Sequence, residues 1–148
     1  MAEPNYRNIL DTLVTTLRAT GHYRHVGIDE QQGPNALQCP AVFVSMPGVT
    51  WTSERLSGGV GNDRSPFLLK LTFGLRLWIF SAQGPTDIVA QRLTMMQTLA
   101  EDLRNGNRLG GLLLYTLPQS ASLPDPVQDD SGAIFGQAMV SAEAALTG

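Results

Sequence analysis

The chain has one cysteine, Cys39, in 148 residues. An internal disulfide is therefore excluded, which fits a reducing compartment. No apolar run approaches the roughly 20 residues that a membrane span requires. The opening "MAEPNYRN" has no hydrophobic signal core, so the expectation is a soluble product made inside a cell. Basic residues are not in excess: the formal net charge is -3. That leaves no global positive field of the kind that dominates nucleic-acid binding. Internal repeats and low-complexity tracts are also missing. A chain of this length corresponds to one ordinary domain, 1–148, and buries about two-thirds of its unfolded surface without a metal or disulfide staple.

Catalytic and ligand motifs are equally scarce. The glycine-rich "SGGVGNDRS", 57–65, lacks the Lys-Ser/Thr pair of a phosphate loop and precedes a strand instead of a helix. Its glycines suit a hairpin tip, where positive φ angles are needed. His22 and His25, with Cys39 downstream, lack the second ligand pair of a zinc site. Nothing near Cys39 in sequence marks it as an activated nucleophile, and a small buried residue before a core strand is the ordinary reading. Asp125, Asp129 and Asp130 have neither the spacing nor the downstream glutamate of a calcium loop, and read as a solvated acidic loop over about 119–132. Glu101-Asp102 at a helix end do not suggest paired carboxylates in a pocket. No catalytic residue, cofactor or metal is expected.

What the chain does have is periodicity. "PNYRNILDTLVTTLRATG", 4–21, repeats Tyr6, Ile9, Leu10, Leu13, Val14 and Leu17 on one helical face, with Asn5 to cap its start and Gly21 its end. Residues 22–40 lack a sustained period and read as a connection, with room for a short strand near Val26. "AVFVSM", 41–46, is a β-branched strand, stopped or bulged by Pro47-Gly48. "LLKLTFGLRLWIFS", 68–81, alternates Leu69, Leu71, Phe73, Leu75, Leu77 and Ile79 with a more polar set. It is more than twice the usual strand length of about 5–6 residues. Pairing it about the glycine-rich tip sets Trp51 opposite Thr72 and Met46 opposite Leu77. In that register residues 49–72 form a β-hairpin arm projecting from the domain. The alternative is a strand ending near Phe67 behind a long disordered loop.

The second helix, 84–106, takes Thr86 or Asp87 as its cap and Gly106 as its end. Its buried stripe is Val89, Leu93, Met96, Leu99, Ala100 and Leu103. A strand follows at 111–118. "AIFGQAMVSAEAAL", 133–146, reads as a strand, with a helix as the alternative for its alanines. The expected fold is α+β: two helices on one mainly antiparallel sheet of about four strands, in the order α-β-β-α-β-β, with the projecting arm. Trp and Arg are enriched at interfaces. Trp51, Arg55, Arg64, Arg76 and Trp78 are accordingly the candidate contact residues, and packing of the two tryptophans across the sheet is the alternative.

The order of "ILDTLVTTL", "PAVFVSM", "LLKLTFGLRLWIF", "PTDIVAQRLTMMQTLAEDL" and "GLLLYTLP…AIFGQAMVSAEA" resembles the tail terminator (tail completion) proteins of long-tailed bacteriophages and related phage-tail-like particles. The resemblance covers most of the chain and carries no catalytic motif. It implies a small α+β domain that assembles with itself into a hexameric ring. The ring would cap the head-proximal end of the tail tube protein's polymer and present a surface to the neck or head-completion protein. DNA would pass the lumen without specific binding, no membrane would be involved, and the product would end in the virion after assembly in the host cytoplasm. The alternatives are a head–tail connector or neck protein of the same particle, and a small-molecule-binding regulatory α+β domain.

Overall fold

The computed structural model describes residues 4–28, 36–55, 67–81, 85–128 and 134–147. In chain order these form α1 (Tyr6–Ala19), β1 (His25–Ile28), a short 3-10 turn (Ala36–Gln38), β2 (Ala41–Arg55), β3 (Phe67–Ser81), α2 (Pro85–Asn105), a second 3-10 turn (Leu109–Gly111), β4 (Tyr115–Ser122), β5 (Val127–Gln128) and β6 (Ile134–Thr147). The strands make one six-stranded mixed sheet in the order β1-β2-β3-β6-β4, with β5 also paired to β6.

This corrects the expected four-strand antiparallel sheet and its α-β-β-α-β-β order. The sequence of elements is α-β-β-β-α-β-β-β, and β1 pairs with β2 in parallel, His25 opposite Ala41 through Ile28 opposite Val44. β1 falls where the sequence left room for a short strand near Val26, outside the expected element order, and both added strands are too short to register as a period. β1 has four residues and β5 two. A parallel neighbour also needs a connection of roughly a dozen residues, so β1 and its partner share no local pattern.

The long strand has a different cause from the one its length suggested. β3 pairs with β6 along its whole course, from Leu68 opposite Thr147 to Ser81 opposite Ile134. Its outer half is not half of a projecting two-stranded ribbon. Leu69 and Leu71 are core residues, 5% and 0% exposed. The strand is long because it sits at the centre of the sheet, with β2 on one side and β6 on the other. The hairpin register differs as well. Trp51 faces Leu69 where Thr72 was expected, and Val42 faces Leu77 where Met46 was expected; within this register an extra residue bulges out of β2 between Ser45 and Gly48. Pro47, which has no N–H to give the ladder, falls inside that bulge. The tip, 56–66, lies outside the described residues.

Both helices cover one face of the sheet. That face carries Leu69, Leu71, Phe73, Leu75 and Leu77 of β3, Val42 and Val44 of β2, and Ala138, Val140, Ala142, Ala144 and Leu146 of β6. Helix α1 meets it through Ile9, Leu13, Val14 and Leu17. Its ends follow the sequence: Asn5 Oδ1 accepts the Asn8 N–H at 3.0 Å, and Gly21 closes the helix at φ 75°. The Arg18 guanidinium then ties α1 to β1, donating to the Val26 carbonyl at 3.0 and 2.7 Å.

Helix α2 sits differently from its expected stripe. Pro85 opens it, so Thr86 and Asp87 fall within its first turn. Ile88, Arg92, Leu99, Asp102 and Leu103 are buried, whereas Val89 and Leu93 are 42% and 46% exposed. Ile88, Arg92, Leu99 and Leu103 keep helical spacing, rotated from the apolar stripe because the buried arginine and aspartate read as surface residues. The helix approaches β6 closely at Gly136, where a Cβ would lie 2.9 Å from Ile88 Cγ1. Gly106 similarly marks contact with α1: a Cβ there would lie 2.8 Å from Thr16 Cγ2.

Strand β4 begins at Tyr115, four residues later than expected, because Leu109–Gly111 forms a 3-10 turn. It runs into the stretch read as an acidic loop. The last strand is extended as expected, with the Gly136, Ala138, Val140, Ala142 and Ala144 face buried.

Candidate interaction surfaces

The five candidate contact residues do not form one cluster. Trp51 is 63% exposed near the far end of β2. Its register partner Leu69 belongs to the helix-bearing face, so Trp51 points to that side. Arg76 and Trp78 lie on the opposite, open face, where they flank the buried pair Phe43 and Ala41. The Trp78 ring meets Phe135 edge-on, with centroids 6.5 Å apart, and Phe80 stands 5.5 Å from the same ring. Trp78 therefore packs across the sheet. Arg55 closes the β2–β3 pairing opposite Phe67 through its backbone. Its side chain, like all of Arg64, lies outside what is described.

The edge on which Trp51 sits has no partner strand past Val44 among the described residues. β1 pairs β2 only as far as Val44. From Ser45 to Arg55, no described strand lies on that side of β2. The outer edge at the other end of the sheet is blunted by Pro118 within β4 and a register shift before Ser120, both common devices against unwanted strand addition.

The histidines and the cysteine do not converge. His25 lies on β1 with its ring 5.4 Å from Phe43. Cys39 is buried, and that burial pushes its thiol up to about 11, away from a reactive thiolate. Among the described residues no group of three or more His, Cys, Asp or Glu side chains could hold a metal ion. His22 instead joins a polar cluster that the sequence did not reveal. Asp102, 7% exposed, accepts from the Tyr23 hydroxyl at 2.7 Å and lies 2.9 Å from His22 Nδ1. Burial, then the bond to Asp102, raises the Tyr23 pKa far above its usual value. These contacts join residues about eighty positions apart, so no local spacing signals them.

Two hollows stand out among the described residues. One of about 710 Å³ opens between the 3-10 turn at Ala36–Gln38, the end of β3 and helix α2, bordered by Arg24, Leu37, Cys39, Phe80, Gln91 and Met95. Leu37 stands at its rim 81% exposed. A smaller one of about 320 Å³ lies on the open face, where Gly74 lacks a side chain between Ser45 and Ser141.

A second overlooked feature is the segment Leu123–Val127. Arg92 is buried beneath it and donates from Nη1 to the Pro124 carbonyl, and to the Gln137 carbonyl at 3.5 Å. Its Nε finds no acceptor. Leu123 and Val127 are 38% and 63% exposed on either side of exposed Asp125. The composition of this stretch signalled a solvated loop; its anchoring depends on an arginine thirty-two positions earlier.

No protein-family model matches this chain, and no curated protein sequence matches it.

Proposed function

We propose that this chain is a non-enzymatic assembly protein that forms a ring with copies of itself. The ring caps the head-proximal end of a phage or phage-like tail tube, ends its polymerisation and offers a surface to the neck. The resemblance in the order of the longer elements motivates the reading. One structural observation carries it: β2 leaves its edge without a described partner strand from Ser45 to Arg55, and exposes Trp51 there. A long open edge is a template for another chain, and an exposed indole is a strong interface anchor. A protein whose working state is an assembly has a use for both.

The test is negative-stain microscopy of the purified protein mixed with tail tubes. Density at one end of each tube is the expected result. Bare ends at saturating protein would overturn the cap. Bare tube ends with density at the portal of phage heads in a parallel mixture would move the protein to the connector reading. The 710 Å³ hollow supports a second reading, a ligand-binding regulatory domain, since its volume falls in the range of small-molecule sites. A melting shift in a metabolite screen, with no tube binding, would favour that reading.

A further inference from the structure

The geometry points to the copy-to-copy contact of the proposed ring: the Leu123–Val127 segment of one copy docks in the hollow beside Arg24 of the next. This inference rests on the ring reading and names the surfaces that would make it.

The segment has the properties of a preorganised ligand. Pro124 and Pro126 bracket Asp125 and fix two backbone φ angles. Arg92 holds the Pro124 carbonyl from below. Little conformational freedom is then left to lose on docking, which favours affinity. Outward it presents two apolar side chains, Leu123 and Val127, with a carboxylate between them. The hollow offers the complement. Leu37 and Met95 supply apolar surface, and the exposed guanidinium of Arg24 supplies the opposite charge.

The two surfaces are separated within one chain. Arg24 precedes β1 at one edge of the sheet, while residues 123–127 join β4 to β5 at the other. At their nearest, Val127 and the hollow's border at Phe80 are two strand steps apart through Phe135, roughly 10 Å at the usual spacing. A knob and a socket built from different residues of one chain define a heterologous contact. Such a contact repeats from copy to copy, and closes into a ring when its rotation permits. The blunted β4 edge favours this side-chain docking over strand addition at that end of the sheet.

The experiment uses two charge reversals at exposed positions, Arg24→Glu and Asp125→Lys, with circular dichroism to verify folding and light scattering to measure assembly. Each variant alone sets like charges against each other in every contact. Each should assemble at least about fivefold more weakly than the unaltered chain. Mixed in equal amounts, the two should recover assembly. In the alternating ring the native aspartate of the first variant meets the native arginine of the second, and the introduced lysine meets the introduced glutamate. A purely structural defect would not be rescued by mixing. If either variant assembles as well as the unaltered chain, or if mixing restores nothing, the docking proposal fails while the ring reading stands on its own tube-end test. A strictly monomeric unaltered chain at the highest attainable concentration, even with tubes present, overturns both. A metabolite that raises the melting temperature and loses its effect in Arg24→Glu assigns the hollow to a small molecule, and also overturns the docking.

Discussion

At the scale of single residues, the end of α2 meets α1 at a contact too close for an added side chain. Gly106 ends α2 where Thr16 of α1 leaves no room for a Cβ. Its φ is not in the left-handed region, so close approach explains this glycine, whereas Gly21 does serve the conformational role expected of a helix end. Gly106→Ala should therefore destabilise the fold by about 1–2 kcal/mol in urea unfolding. Thr16→Ser removes the obstructing Cγ2, and the double variant should recover most of that loss; simple additivity would refute the contact. The Tyr23–Asp102 pair makes a second prediction. Asp102→Ala leaves a buried hydroxyl without its acceptor and should cost about 2–3 kcal/mol. Alkali tests the same region. Both Tyr23 and Cys39 have folded pKa values raised above the unfolded ones, so the stability they contribute is complete below the unfolded pKa. It declines as the unfolded chain begins to ionise. For the thiol that window runs from its ordinary 9.0 to about 11. Tyr23, with an ordinary value of 10.0, adds a loss that begins higher and continues beyond it. Urea midpoints measured from about pH 8 to 11 should fall, and Cys39→Ala should flatten the early part of that decline.

Between residues and the whole molecule stand the elements, and here Arg92 is the informative case. A buried guanidinium that answers to carbonyls is expensive to desolvate, yet it fixes the β4–β5 connection to α2. Arg92→Met should leave global stability within about 1 kcal/mol, because the lost bonds are offset by the removed charge. Amide exchange at 123–128 should nevertheless rise by about tenfold or more, since those residues lose their tether. Unchanged exchange would show that the prolines suffice. The same arginine explains part of what the sequence did and did not disclose. Helix α1, the long alternating β3 and the extended β6 were legible because each buries one face at a regular period. The face of α2 was misread because its buried stripe includes Arg92 and Asp102, whose partners come from distant loops. β1 was legible only as room for a short strand near Val26 and β5 was missed, because both borrow their conformation from longer neighbours. The excess length of β3 was visible, but length alone does not distinguish a projecting arm from a central strand; the pairing with β6 decides it. The interface residues divided in the same way. Trp78 is explained by the Phe135 ring it meets, a contact set by register, and the hollow beside Arg24 is built by elements whose convergence no local pattern carries.

For the whole molecule, the sheet has one covered face, one open face, and edges of unequal kinds. α1 and α2 complete the core on the covered side. On the open side Trp78, Phe80 and Phe135 pack on one another within the chain. Among the described residues, exposed apolar side chains stand at Trp51 on β2, at Val89 and Leu93 on α2, and at Met139 on the open face. A physical distinction between the two tryptophans follows, and it separates folding from assembly. Trp78→Ala removes a ring packed against Phe135, and should lower stability by about 2–4 kcal/mol. Trp51 is 63% exposed, so Trp51→Ala should shift stability by no more than about 0.5 kcal/mol. If the β2 edge binds the tube or a neighbouring copy, that same change should cost at least about tenfold in tube-end occupancy, counted in micrographs at fixed protein concentration. The opposite pattern, with Trp51→Ala unfolding the chain and tube ends still decorated, would place the indole in the fold and leave the β2 edge without a role in assembly.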